Sequence, residues 1–182
     1  MGVQTDVTYG LRKAAIVALE EYFPTTVSRR NVILSHANGT EPDQDYVVIN
    51  VLQIEQIGKG YTSTFTNELD ELTIQANYNV YVQFSFIGDL SGDMSHTFTQ
   101  RLNNVLFREE LQKYGLNLKT KTNIRRAPQK RDTKWVEYHN MDVVFTYAVN
   151  TQQIVDVVEA VVIKDTQTGE VSTIPPDFII TP

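Results

Sequence analysis

The chain has 182 residues, a net charge of −6 and no cysteine. A mildly acidic chain has no overall attraction for nucleic acid or anionic lipid, so such contacts would need a local basic patch. The absence of cysteine excludes disulfides, thiolate catalysis and cysteine–zinc sites. No apolar run approaches the roughly 18 residues of a membrane span, and no signal-peptide pattern is seen, so we expect a product made in the cytoplasm.

Apolar residues at helical spacing predict a first helix. Asp6 is suited to be its N-cap, and Pro24 ends it. The main apolar stripe runs from Val7 to Tyr22, and a second stripe that includes Leu19 lies beside it. Two interpretations follow: a well-buried core helix, or a helix that packs on its own sheet and also on a neighbouring subunit.

Two strands follow an irregular segment at residues 25–45. The first covers 46–57, and the second covers 73–86 with strict alternation of apolar and polar residues, which indicates one buried face. Typical strands have about 5–6 residues, so the second is long for a chain of this size. We therefore predict that residues 46–87 form a long hairpin whose loop, 58–71, protrudes and contacts a neighbouring component.

A second helix is predicted from Ser91 to the C-capping Gly115, with Val105 and Leu106 on its apolar stripe. The last core strand covers 135–149. Its predicted buried residues are Met141, Val143, Phe145, Tyr147 and Val149. Two further strands, over 157–163 and 171–174, predict a C-terminal hairpin.

This order of elements predicts an α+β fold with a mainly antiparallel sheet and two helices packed on one face. The long protruding hairpin belongs to the body, and the C-terminal hairpin is appended to it. We predict a domain over residues 1–150 and a C-terminal hairpin or arm over 151–182. The five acids of this arm outweigh its single lysine, which gives it a local charge of −4.

No catalytic constellation, phosphate loop or dinucleotide fingerprint is present in the sequence, so no enzyme and no cofactor are expected. His96 is predicted to lie on the surface or at an interface, and His139 to be a hydrogen-bonded residue of the sheet. An acidic cluster at Glu68, Asp70 and Glu71 lacks the alternation of a calcium loop. It is therefore interpreted as a solvated or interface loop, and no metal is expected.

The strongest electrostatic feature is the stretch 119–134, whose charge is +6 because Asp132 is its single acid. It lacks interleaved aromatic residues for stacking on bases, although Trp135 borders it. Three interpretations remain: an arm that docks on an acidic neighbour, an arm that contacts DNA phosphates non-specifically in a channel, or a solvated loop. Its seven basic residues are Lys119, Lys121, Arg125, Arg126, Lys130, Arg131 and Lys134.

The loop of the long hairpin supplies the other candidate contacts with subunits or with neck and tail components. These residues are Lys59, Tyr61, Phe65, Glu68, Asp70 and Glu71.

Two stretches carry a resemblance. One runs from Ala76 to Phe84 and continues through a glycine into the helix around Arg101-Leu102, and the other is Trp135-Val136-Glu137-Tyr138 with its following strand. Together with the early strand at Asp45-Tyr46-Val47-Val48, they resemble the bacteriophage neck/tail terminator family over about residues 5–150. Tyr138 departs from the family pattern, in which an arginine often follows the glutamate.

The resemblance implies a non-enzymatic virion protein at the neck/tail junction. It implies a ring of six copies that terminates the tail tube and joins it to the head-side connector, with the tube protein and the connector as partners. No membrane partner is implied. The alternative is another neck or tail component, such as a head-completion or tube protein, and a nucleic-acid-binding protein or an unrecognised enzyme is less favoured.

Overall fold

The computed structural model describes the backbone of residues 3–24, 31–36, 41–58, 62–66, 71–154, 161–164 and 171–174. It describes side chains for residues 7–24, 31–36, 41–58 and 75–150. The chain divides into two compact units: residues 1–60 with 75–149, and residues 61–74 with 150–182. The expected division into residues 1–150 and 151–182 stays a prediction.

The larger unit contains three helices among its described residues: α1 (Val3–Glu20), α2 (Ser91–Asn103) and α3 (Val105–Gln112). Eight strands lie in it wholly or in large part: β1 (Val32–Leu34), β2 (Tyr46–Gln56), β4 (Glu71–Ile87), β5 (Leu116–Lys121), β6 (Arg125–Arg126), β7 (Gln129–Arg131), β8 (Lys134–Val136) and β9 (Tyr138–Ile154). The smaller unit contains β3 (Thr62–Thr66), together with β10 (Val161–Lys164) and β11 (Val171–Ile174), which pair antiparallel.

The main sheet has the strand order β1-β2-β4-β9-β5, with β3 beside β4 and β6 beside β9. β2 pairs antiparallel with β4, and β9 pairs antiparallel with β5 and β6, whereas β1 runs parallel to β2. The register of the central pair extends from Tyr46 opposite Ile87 to Gln56 opposite Tyr78. The predicted α+β fold with a mainly antiparallel sheet is therefore confirmed.

All three helices contribute to a core on one face of the sheet. The alternation along β4 places Val80, Val82, Phe84 and Phe86 in this core, as predicted. Phe98 of α2 packs against two of these rings, at centroid distances of 4.7 Å and 5.6 Å. The opposite face carries a small apolar cluster of Tyr46, Ile87 and Tyr138, with Ile33, Val48 and Val136 packed against it.

The start of the chain differs from the prediction at three places. The first helix begins at Val3, so Asp6 lies in its first turn and is not its N-cap. The helix ends at Glu20, and Tyr22, expected on the buried stripe, is 55% exposed. Residues 32–34 were expected to be irregular but form β1. A strand of three residues is too short to show the alternation of apolar and polar residues by which strands are predicted.

The predicted second helix is two helices, so the described part of the chain has three helices and not two. Asn104 has extended backbone geometry (ψ 131°), and its Oδ1 accepts a 2.9 Å hydrogen bond from the Leu106 amide. This capping interaction competes with helix continuation, as asparagine side chains commonly do. The break turns Val105 and Leu106 away from the core, and their expected burial is wrong.

The last core strand also divides. Trp135 lies in β8, which pairs with β7 in a separate two-stranded sheet, whereas β9 begins at Tyr138. Met141, Val143 and Phe145 are buried as predicted. Tyr147 and Val149 are only half-buried, although Tyr147 still packs against the core. The predicted strand 157–163 overlaps β10, and residues 155–160 lie outside the described part of the chain.

Candidate assembly surfaces

The basic stretch lies in β5, β6 and the β7–β8 hairpin, and its three arginines form ion pairs within the chain. Arg125 pairs with Asp142 of β9. Arg126 donates two hydrogen bonds to Glu137, at 2.8 Å and 2.5 Å. The sequence did not predict these pairs, because folding rather than sequence spacing brings the carboxylates near.

The third ion pair of the basic stretch joins two residues that are far apart in the sequence. Arg131 donates to Glu41, which lies 90 positions earlier in the chain and also accepts a hydrogen bond from the Tyr46 hydroxyl. The hydrogen bond that Arg131 donates to Glu41 raises the pKa of Arg131. Its guanidinium also lies over the Tyr138 ring, 5.3 Å from the centroid. Arg131 is therefore held at this site by a carboxylate and an aromatic ring.

The Arg126–Glu137 contact is exposed and shifts the pKa values of both side chains. Hydrogen bonding to Glu137 raises the pKa of Arg126, and the same contact lowers the pKa of Glu137. Such an exposed pair contributes little to stability, because water and salt screen the two charges. Its main effect is to keep both groups charged over a wider pH range.

Two lysines of β5 contact neutral acceptors. Lys119 Nζ donates to Asn79 Oδ1 at 2.9 Å, and Lys121 Nζ donates to the Thr99 carbonyl oxygen at 3.1 Å. Burial lowers the pKa of Lys121, and the nearby Arg108 lowers it further. Lys121 and Arg108 therefore form a positive patch beside α2 and α3.

The β7–β8 hairpin presents the remaining cations. Lys130 lies opposite Trp135, and Arg131 lies opposite Lys134. Neither Lys130 nor Lys134 forms an ion pair with a residue that the structure describes. Trp135 is 70% exposed, although it is the single tryptophan of the chain. Trp135 was not among the predicted contact residues. Its position next to the basic stretch could have identified it as one.

The second group of predicted contacts falls mostly outside the described residues. Lys59, Tyr61, Glu68 and Asp70 lie there. Phe65 belongs to β3, and Glu71 begins β4. Their role in assembly stays a prediction.

A groove of about 410 Å³ lies on the sheet face opposite the helices, toward the β1 edge. Its apolar floor on this face is formed by three residues of β1, β2 and β4: Ile33, Val48 and Ile87. Leu34, which packs against the core on the helix side, also lines the groove. Tyr46, Tyr138, Gln129, Glu41 and Arg131 also line it, together with Ser35, His36 and Ser85. The groove is open and combines an apolar floor with a paired cation and anion at its border.

Tyr138 is the most unusual residue of this groove. It is 5% exposed, and its buried hydroxyl, which lies near the Arg131 guanidinium, makes no well-formed hydrogen bond within the described part of the chain. Burial raises the pKa of Tyr138, and the nearby Arg131 partly opposes this increase. A buried polar group without a partner costs about 1–3 kcal/mol, so a group that supplied its hydrogen bond would bind favourably.

A second depression of about 430 Å³ adjoins the groove, since Glu41, Tyr46, Ile87 and Arg131 line both. Its lining includes Asp43 and Asp89, whose side chains are exposed. The border of the groove is therefore acidic on this side.

An apolar projection, the α2–α3 corner, is formed by Asn104, Val105 and Leu106. Val105 is 66% exposed and Leu106 is 74% exposed. α3 packs against β5, so the corner lies at the opposite edge of the sheet from β1. The patch formed by Arg108 and Lys121 lies on the same side of the unit.

The histidines do not form a catalytic or metal-binding arrangement in the described chain. His96 is exposed, as predicted, and Nδ1 of His139 lies 3.0 Å from the Ser91 hydroxyl oxygen, which agrees with a hydrogen-bonded sheet histidine. No group of three or more potential metal ligands occurs among the described residues. None of the described helices is long and apolar enough to cross a membrane.

Comparison with known proteins gives one family match. A family model described as phage neck terminator protein matches residues 13–171. No curated protein matches the chain. The family match covers most of the chain, including all of the sheet, the groove and the α2–α3 corner. It supports a structural role at the phage neck and a location in the virion, and it confirms the resemblance found in the sequence. The chain therefore belongs to the phage neck terminator protein family.

Proposed function

We propose that six copies of this chain form a ring that terminates the tail tube and joins it to the head-side connector. The observation that carries the proposal is the family match over residues 13–171. The partners are then the tail tube protein, the connector and further copies of the chain. The protein acts through its surfaces and not through catalysis.

The distribution of exposed groups supports a role in assembly. The most exposed large apolar side chains of the described residues are Val105 and Leu106 at the α2–α3 corner and Trp135. Tryptophan and arginine are enriched among the residues that dominate protein–protein interfaces. The β7–β8 hairpin combines both types with two lysines that lack an ion-pair partner in the described chain. We propose it as a contact with an acidic surface of a neighbouring copy or component.

The basic stretch as a whole is proposed to act between chains, with its residues contributing unequally. Arg125, Arg126 and Arg131 already contact carboxylates of their own chain. Lys130 and Lys134 are free to contact a neighbour, because their ammonium groups are exposed and not engaged by described residues. Non-specific contact of these lysines with DNA in the channel is the competing outcome.

Imaging of labelled particles tests the position and symmetry. The chain should carry a small tag at its C-terminus, and the reconstruction should place six tags at the junction of tube and neck. Particles that lack the chain should have tubes of uncontrolled length that do not join to heads. Another symmetry, or a label along the tube, would contradict the proposal and favour a different neck or tail component.

Charge variants test the hairpin. Lys130→Gln with Lys134→Gln should lower ring formation or neck attachment and reduce its sensitivity to salt, because screening weakens charge contacts. Arg125→Gln with Arg126→Gln is the matched control: it removes the same charge from residues that are paired within the chain. Equal effects of the two double variants would show that the total charge matters and the hairpin does not.

The segment predicted as the loop of the long hairpin, residues 58–71, is proposed as a second contact; Phe65 of this segment lies in β3 and Glu71 lies in β4. Its proposed contact residues are Lys59, Tyr61, Phe65, Glu68, Asp70 and Glu71. Shortening this loop should leave the fold of the larger unit intact and block tail attachment. Normal attachment and infection by such particles would show that the loop is not needed.

A further inference from the structure

We propose that the α2–α3 corner of one copy inserts into the groove of the next copy and that this contact repeats around the ring. The inference rests on the proposed ring and identifies two of its contacting surfaces. The occupant of the groove is a second copy of this chain, through Val105 and Leu106. The proposal follows from the shape, position and charge of the two surfaces.

The two surfaces match in chemistry. The corner projects two aliphatic side chains that are more than 60% exposed. The groove has a floor of Ile33, Val48 and Ile87 and a volume of about 410 Å³. An aliphatic projection that enters an apolar groove removes both surfaces from water, which is the main driving force of association.

The groove also offers a polar group that an inserted backbone would satisfy. The Tyr138 hydroxyl is buried without a hydrogen-bond partner in the described chain. The corner follows directly after the end of α2, where the last backbone carbonyl groups of a helix have no intrahelical partner. A backbone carbonyl of the inserted corner would accept the Tyr138 hydrogen bond and remove the cost of leaving this group unpaired.

The positions of the two surfaces determine the type of contact. The groove lies toward β1, at one edge of the sheet, and the corner lies beside β5, at the other edge. A single copy cannot bring its own corner to its own groove. Each copy would instead use its corner on one neighbour and its groove on the other. This is a head-to-tail contact, which generates a ring when its rotation closes.

Charge complementarity supports the same pairing. Asp43 and Asp89 are exposed beside the groove, in the adjoining depression. Arg108 and Lys121 lie close to each other near the corner, and neither forms an ion pair with a described carboxylate. Docking would place this positive patch near the acidic border, which favours the correct orientation of two copies.

Cross-linking between copies tests the contact, because the natural chain has no cysteine. Particles are assembled from two single-cysteine variants, Leu106→Cys and Gln129→Cys, and are treated with a short bis-maleimide. Gln129 lines the groove and is exposed. A dimer band should form with the mixture and not with either variant alone. Leu52→Cys replaces Gln129→Cys in the control, because Leu52 is exposed but outside the groove lining.

The same particles separate failure of this inference from failure of the proposed function. If imaging places a ring at the neck and the mixed variants give no more dimer than the Leu52 control, although every cysteine reacts with a simple maleimide, the inference is wrong and the function stands. A dimer from Leu106→Cys alone would indicate a two-fold contact and would also overturn it. If the ring is absent from the neck but the mixed cross-link forms, the contact stands and the proposed function fails.

Disruption and charge exchange provide a second measurement. Leu106→Asp should reduce assembly at least tenfold, while Leu52→Asp, the same exchange at an exposed residue outside both surfaces, should have little effect. Asp43→Lys and Arg108→Glu should each weaken assembly, and together they should restore part of it. Unchanged assembly by the Leu106 variant, or no recovery by the charge exchange, would contradict the proposal.

Discussion

Gly88 connects β4 to α2 and is the most constrained glycine of the described chain. Its φ is +113°, which side chains other than glycine rarely adopt. A Cβ at this position would lie 2.0 Å from Asp45 Oδ1 and 3.0 Å from the Asp45 Cα. Asp45 Oδ1 also accepts a 3.0 Å hydrogen bond from the Leu90 amide, at the start of α2. We therefore predict that Gly88→Ala is strongly destabilising.

The magnitude has two parts. A non-glycine residue in such a backbone region costs about 1–3 kcal/mol. Displacement of the Asp45 side chain also removes its hydrogen bond to the helix start, which contributes about 1 kcal/mol. The expected loss for Gly88→Ala is therefore about 2–4 kcal/mol. In a domain of this size each kcal/mol lowers Tm by about 2–4 °C.

Gly58→Ala is the matched control. Gly58 also has a positive φ, +74°, but a Cβ there meets no atom within 4 Å. It should cost only the left-handed backbone penalty of about 1–2 kcal/mol. Urea unfolding measures both variants, and the slope of the transition should not change if both affect only the native state.

A double-mutant cycle with Asp45→Ala tests the cause. Because the side chain that meets the new Cβ is then absent, Gly88→Ala should cost less in the Asp45→Ala background, by about 1 kcal/mol or more. The reasoning is refuted if Gly88→Ala and Gly58→Ala cost the same within about 0.5 kcal/mol. It is also refuted if the two changes at Gly88 and Asp45 are additive.

Two further predictions concern local contacts. Asn104→Ala should lower the free energy of unfolding by about 0.5–2 kcal/mol, because it removes the side-chain cap of α3; Asn103→Ala, one position earlier, should cost much less in the same urea titration. Arg126→Gln should raise the pKa of Glu137 toward the ordinary glutamate value, because the contact with Arg126 is the main cause of its low pKa. The small stabilisation from this contact is present above the unfolded-state pKa and is lost as the pH falls through the folded-state pKa. An NMR titration in which the Glu137 pKa does not change would contradict this prediction.

The sequence predicted the elements that depend on long periodic patterns. The alternation from Ala76 to Phe86 identified the buried face of β4, and the first helix was found to within a few residues. Family resemblance was also visible from these patterns. The sequence did not predict the break at Asn104, since Val105 and Leu106 continue the helical apolar stripe and only the cap reveals the turn.

The assembly surfaces were less predictable, for a different reason. The sequence showed that the stretch 119–134 is strongly basic. It could not show that its three arginines form ion pairs with Glu41, Glu137 and Asp142, because only folding brings these carboxylates near them. The groove depends on residues from five separate segments, so no local pattern could indicate it. Trp135 could have been selected, because an aromatic residue beside several cations is a frequent component of interfaces.

The ion pairs within the basic stretch have a consequence for the free subunit before assembly. A segment of +6 that remained unpaired would attract RNA and DNA in the cell, and each neutralised phosphate would strengthen this competing binding. Carboxylates of the same chain neutralise the three arginines of the segment and leave its four lysines. The fold therefore lowers the number of phosphates that the subunit can contact. We therefore expect the free subunit to bind nucleic acid more weakly than the charge of the stretch alone would indicate.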